Sequence, residues 1–570
     1  MPTSGRLKVV LCWHMHQPEY RDYSSDSYQL PWTYLHAIKD YTDMAAILEQ
    51  TPGARAVINF VPILLNQLED YAAQVRGYLT ARTPLRDPLL AALVGEAFPR
   101  EAARRALLVR ACLRANEQRL INRFPMYRRL ADLAALMKDD TDNLSYLGDQ
   151  YLADMLTWYH LAWMGETVRR SDSRIKYLIE KARFYSLEDR LQLLGVIGEL
   201  LDAVVPRYRR LAENGRVELS MTPYAHPMIP LLLDFASARE AVPEMSLPAV
   251  ERYPGGVERA HWHVQEGIAA FEHHFGFAPR GCWPAEGGLS TETVRLLGEH
   301  GFAWTATGES VLRNSLARSV TIHDPCATKN LHRAYRIDAA APACFFRDDG
   351  LSDLIGFTYY NWHADDAVAN MIHHLENIAQ ECHGSPDHVV SIVLDGENAW
   401  EAYPDNGYHF LTALYRRLAE HPALELTTFS ESLAHGVHLC RLPALIAGSW
   451  VYGTFSTWMG SPDKNRGWEL LCEAKRICDQ VLAGEGVSAQ QRELIIRQLA
   501  VCEGSDWCWW FGDYNPADSV SDFERLYRLH LGNLYRLLGV EPPATLTHSI
   551  SAGGGQPQLG GVMRRGSEAR

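Results

Sequence analysis

Short apolar runs, several rich in β-branched residues, punctuate the chain at 7–13, 56–60, 217–221, 303–305, 353–359 and 389–394. Long stretches of helical spacing separate them. Strands this apolar are buried on both faces, and strands that alternate with helices build a parallel sheet. Several runs end in polar or acidic residues, as in an α/β barrel that carries its chemistry at the C-terminal strand ends. Between the second and third runs, residues 85–215 are rich in Ala, Leu and Arg and predict inserted helices at 101–114, 149–164 and 187–211. From about residue 440 the spacing is helical again, at 468–483 and 488–502, interrupted by two Trp-rich loops. The predicted organisation is a catalytic barrel over 1–435, a helical C-terminal domain over 436–540 and a disordered tail over 541–570. The tail prediction rests on Ala552-Gly553-Gly554-Gly555 and Arg564-Arg565-Gly566.

Composition narrows the partners. At 570 residues the chain fits one barrel enzyme with insertions. A net charge of -14 argues against nucleic acid and anionic membranes, since phosphate binding needs clustered Lys and Arg. A neutral ligand such as a sugar fits. No stretch reaches the roughly 20 apolar residues of a membrane span. The 11 cysteines include no CxxC pair, and no cleavage-site pattern follows the first 13 residues. A reduced, cytoplasmic protein is expected. The 15 Trp and 26 Tyr bunch partly in Gly-rich, polar segments, where rings can pack on the C–H faces of sugars.

Two acids stand where strand ends would deliver them. Glu286 lies in Cys282-Trp283-Pro284-Ala285-Glu286-Gly287-Gly288, between an aromatic residue and two glycines that let backbone approach closely. Asp395 follows Val389-Val390-Ser391-Ile392-Val393-Leu394, and Glu397, two residues on, is its rival for the same role. Glycoside hydrolysis requires one protonated and one ionised carboxyl, about 5–5.5 Å apart for retention and roughly 6.5–9.5 Å for inversion. His14 and His16 share a face at the end of the first strand, with spacing suited to a metal or to sugar hydroxyls. Glu218, within a strand, and His226, soon after it, add to that cluster.

These segments resemble glycoside hydrolase family 57 over about residues 7–540. The likeness rests on His14-Met15-His16-Gln17-Pro18, Gly215-Arg216-Val217-Glu218-Leu219, Trp283-Pro284-Ala285-Glu286 and Leu394-Asp395-Gly396-Glu397-Asn398, in that order. The resemblance implies a (β/α)7 barrel, an incomplete TIM-type fold, followed by a mainly helical domain. It also implies a retaining mechanism with no cofactor or catalytic metal. Glu286 would be the nucleophile and Asp395 the acid/base. His14, His16 and Glu218 would bind the sugar beside the scissile bond, with help from Trp283 and His226. Within the family the chain looks most like the amylopullulanase and α-amylase branch, through segments that include Ser352-Asp353-Leu354-Ile355-Gly356-Phe357 and Gly504-Ser505-Asp506-Trp507. Asp353, Trp450 and Trp507 join the expected substrate contacts. Arg216 stands where some members have Gln.

The expected activity is hydrolysis of α-1,4 links, either alone or together with α-1,6 links, in α-glucan polysaccharides or malto-oligosaccharides. The alternative is a 4-α-glucanotransferase or branching enzyme using the same site. A zinc α-mannosidase or deacetylase would want an Asp beside the histidine pair, where Gln17-Pro18 stands instead. A non-catalytic glucan-binding protein would need aromatics but no essential acids.

Overall fold

The computed structural model describes residues 5–136, 143, 146–318, 331–382, 385–555 and 562–566. Seven parallel strands close a barrel: β1 (Leu7–Met15), β2 (Ala56–Phe60), β3 (Val217–Met221), β4 (Gly281–Cys282), β5 (Trp304–Gly308), β6 (Ala343–Arg347) and β7 (Val389–Asp395). Each pairs with the next, and β7 returns to β1 over Lys8↔Val389 to His14↔Asp395. β1 is buried along its whole length. Its alternate residues point inward, where Val10 and Cys12 meet Val57, Trp283, Trp304, Phe345 and Val393, and outward, where Val9 and Leu11 meet the surrounding helices. The expected α/β barrel is therefore present.

One expected strand is not. Residues 353–359 fall largely in the helix Asp349–Phe357, and β6 is instead Ala343–Arg347, buried throughout. Short apolar runs have no decisive period, and here a cap decides. The Asp348 carboxylate accepts the Leu351 backbone N–H at 2.8 Å and starts a helix on the residues that follow.

Helices between β2 and β3 form the insertion, ending in Leu187–Glu213, which a capping box of Ser186 and Asp189 opens. It packs closely on the helix Pro62–Ala81: a Cβ at Gly198 would lie 2.7 Å from Val75 Cγ1. After the barrel come the helices Pro462–Ala483, Ala489–Cys502, Asp506–Trp510 and Ala517–Leu537. A buried polar knot fixes them to the barrel. Glu503 accepts from Arg259 Nη2 at 2.6 Å, His263 Nε2 at 2.8 Å and Tyr253 Oη at 2.5 Å. No helix among the described residues is long and apolar enough to cross a membrane.

The segment from residue 541, expected as a tail, is packed in part. Leu546 and Ser551 are buried, and Gly566 reaches the strand-end face of the barrel. Residues 556–561 and 567–570 lie outside the described residues.

Candidate active site

Strand ends and the C-terminal helices enclose a cleft of about 220 Å³ over the barrel mouth. Glu286, Asp395, Glu397, His14, His16, His226 and Trp450 line it, together with Arg347, Asp506, Trp509, Trp510 and Arg564. Of the residues singled out from the sequence, these first seven are brought together.

Glu286 sits just past β4 in a left-handed backbone conformation, φ 56°, as does His226 at φ 58°. Such φ values are costly for a residue with a side chain, and they turn both side chains into the opening. Trp450 holds Glu286 twice: its backbone N–H donates to the Glu286 carbonyl at 3.0 Å and its indole Nε1–H to Oε2 at 3.0 Å. Asp395, at the tip of β7, is paired in register with His14 and accepts from Asn398 Nδ2 at 2.9 Å.

Electrostatics couple the acids. Burial, then the negative charges of Asp395 and Asp506, raise the Glu286 carboxyl well above the usual carboxylate range. Burial pushes Asp395 up to about 6, against the Asn398 hydrogen bond and the nearby His16 and Arg347. Burial and Asp395 likewise raise Glu397, whose Oε1 accepts from the His16 backbone, Gln17 Nε2 and Tyr41 Oη, each at 3.1 Å. Its Oε2 is buried without a partner, and a neutral carboxyl there can donate to a sugar hydroxyl.

The histidines form a hydrogen-bonded chain. His14 Nδ1 lies 2.7 Å from Asn59 Oδ1, whose side-chain amide also meets Ser220 Oγ at 3.0 Å. His14 Nε2 lies 3.1 Å from His226 Nε2, and His226 Nδ1 lies 2.9 Å from Ser505 Oγ. Burial and the neighbouring rings keep both neutral, with His14 lowered to about 3 and His226 well below its ordinary value. His16 stacks on His226 with ring centres 3.9 Å apart and gives Nε2–H to Asp506 at 2.7 Å. Its buried Nδ1 has no partner.

Four expected contacts lie elsewhere. Glu218 is near the start of β3, away from the strand ends, where it accepts from Trp304 Nε1 at 2.6 Å and Ser430 Oγ at 2.5 Å. Trp283 is fully buried in the barrel and meets Trp450 edge-on, ring centres 5.3 Å apart. Asp353 accepts from Arg347 Nη2 at 2.8 Å and so positions a cation that does line the cleft. Trp507 packs against Tyr527 and His530 between the C-terminal helices.

Arg347 and Asp506 were missed, although Phe346-Arg347-Asp348 and Gly504-Ser505-Asp506 stand out in the sequence. The signal for Asp506 was an acid in a Gly- and Trp-rich loop. Among the described residues, His16, His226 and Asp506 could also hold a metal ion, their ligand atoms lying within 4.8 Å of one another.

The profile of glycosyl hydrolase family 57 matches residues 10–441, which contain both acids and all three histidines. Its C-terminal limit falls before Trp450 and Asp506. A branching enzyme from Thermococcus kodakaraensis is similar in structure, with 14% identity, a TM-score of 0.55, and coverage of 93% of this chain and 90% of that one. A branching enzyme from Pyrococcus horikoshii gives 15%, 0.55, 95% and 96%, and an alpha-amylase from Thermotoga maritima 15%, 0.54, 94% and 93%. At such identities the likeness is one of fold. No curated protein sequence matches significantly. With the family profile spanning most of the barrel and the cleft built on its strand ends, the chain belongs to glycosyl hydrolase family 57.

Proposed function

We propose that the protein is a retaining α-glucan hydrolase, with Glu286 as nucleophile and Asp395 as acid/base. The observation that carries this reading is the pair of carboxyls delivered from two strand ends into one aromatic-walled cleft, both with raised proton affinity. Glu286 attacks the anomeric carbon while Asp395 gives its proton to the departing glycosidic oxygen. A covalent glycosyl–enzyme forms, and Asp395 then takes a proton from the incoming water.

Burial raises the proton affinity of both carboxyls in the ligand-free cleft, so a single proton can sit on Glu286 or on Asp395. Both placements belong to one singly protonated pair, so they interconvert without any change in net charge. Positive charge developing at the sugar favours the placement with Glu286 ionised. His16 and Glu397 offer hydrogen bonds to sugar hydroxyls, and Trp450, Trp509 and Trp510 offer apolar faces.

A second reading is transfer to a sugar acceptor. Trp510 lines the cleft, stacked on Phe523 with ring centres 4.7 Å apart, and an aromatic wall of this kind can carry a sugar acceptor. The test is incubation with amylose, pullulan and maltopentaose, with and without a chelator, beside Glu286→Gln and Asp395→Asn. Shorter sugars with new reducing ends, lost in both variants and unaffected by chelation, support the hydrolase. Longer and shorter sugars without new reducing ends favour the transferase. Activity that survives both substitutions, or that needs a metal, sinks the carboxylate mechanism.

A further inference from the structure

The C-terminal segment brings a cation into the cleft. Val562, Met563 and Arg564 line it. The Arg564 guanidinium lies 4.5 Å from the Trp509 ring centre and 4.6 Å from that of Tyr514. Its Nη1 donates to Thr457 Oγ1 at 3.2 Å and its Nη2 to the Trp509 carbonyl at 3.3 Å. Nε is buried with no partner. Two residues on, Gly566 is pinned on both sides: its N–H donates to Asp353 Oδ2 at 3.1 Å, and its carbonyl accepts from Tyr452 N–H at 2.9 Å. A Cβ at 566 would lie 2.4 Å from Asp349 Cγ, so a side chain there would have to displace that carboxylate.

We propose that Arg564 is a substrate-binding, specificity-determining residue, donating from its guanidinium to a hydroxyl of a glucan unit bound in the cleft. The inference rests on the α-glucan reading. A guanidinium held between two rings and lining the cleft loses little freedom on binding. Arg564 is also close enough to Glu286 to favour the ionised nucleophile, against the opposing charges of Asp395 and Asp506 and alongside the Trp450 hydrogen bond. The competing possibility is that the segment is a plug that substrate must displace.

The test is steady-state kinetics on maltopentaose for the wild type, Arg564→Ala, Arg564→Lys and Gly566→Ala, with thermal midpoints measured in parallel. The proposal expects Arg564→Ala to raise KM roughly tenfold while kcat changes less. Lysine should recover part of the loss. Gly566→Ala, which keeps the arginine but displaces its anchor, should raise KM as well. The acid limb of kcat/KM should move to higher pH in Arg564→Ala, a change that a purely structural role would not produce. An unchanged KM in Arg564→Ala overturns the proposal, and a lower one identifies a plug. A wild type with no turnover on any α-glucan instead removes the functional reading, and this inference falls with it.

Discussion

Trp450 grips Glu286 from two directions, its backbone N–H on the glutamate carbonyl and its indole N–H on the carboxylate, both at 3.0 Å. A residue beyond the barrel therefore sets the aim of an acid inside it. The Trp283 edge and the Arg347 guanidinium, 5.4 Å above the ring, keep the indole in place.

Trp450→Phe keeps the ring and removes the donor. A hydrogen bond to a charged group contributes about 1.5–3 kcal/mol, so kcat should fall roughly 10- to 100-fold. The bond also favours the ionised Glu286, so the acid limb of the pH profile should move upward. A variant with wild-type kcat and an unmoved limb would show that the indole bond does not act in catalysis.

The pH profile reports the acid pair. With Asp395 pushed up to about 6 and Glu286 raised well above its ordinary value, kcat/KM should fall below about pH 6, where both carboxyls are protonated. It should fall again at higher pH, where both are ionised. In Asp395→Asn the negative charge that raises Glu286 is gone, so the residual activity should keep an acid limb at lower pH and lose its alkaline limb. An alkaline limb that persists in that variant would place the essential acid elsewhere, with Glu397 the first candidate.

How far the sequence went can be seen residue by residue. The apolar run ending at Asp395 and the glycine-flanked Glu286 were legible because strand length and turn chemistry are local. Glu218 was misplaced for the complementary reason. Alternation assigns a face of a strand but not a height along the barrel, and Glu218 lies low on β3, against Ser430. The partnership of His16 with Asp506 spans 490 residues, and no local pattern encodes it. Trp507 and Trp509 stand two apart in one short helix, yet Trp509 lines the cleft and Trp507 packs among helices.

The knot at Glu503 predicts how the C-terminal helices are held. Glu503→Gln leaves Arg259 buried without its counter-ion, and breaking such a pair costs about 3–5 kcal/mol. Burial alone would raise the Glu503 carboxyl, but Arg259 and His263 outweigh it and hold it at about 2, below its ordinary value of 4.5. That contribution is therefore present above about pH 4.5 and is lost as pH falls towards 2. Thermal unfolding should show the wild type losing stability across that window more steeply than the variant. Equal slopes would mean that the ion pair does not hold the two parts together.

The most direct test is to trap the covalent intermediate. The protein is incubated with 5-fluoro-α-D-glucosyl fluoride, digested, and its peptides mapped by mass. One fluoroglucosyl adduct on the peptide carrying Glu286, absent from Glu286→Gln, is the predicted result. An adduct on Asp395 or Glu397, or continued turnover of α-glucan in Glu286→Gln, would contradict the assignment of the nucleophile.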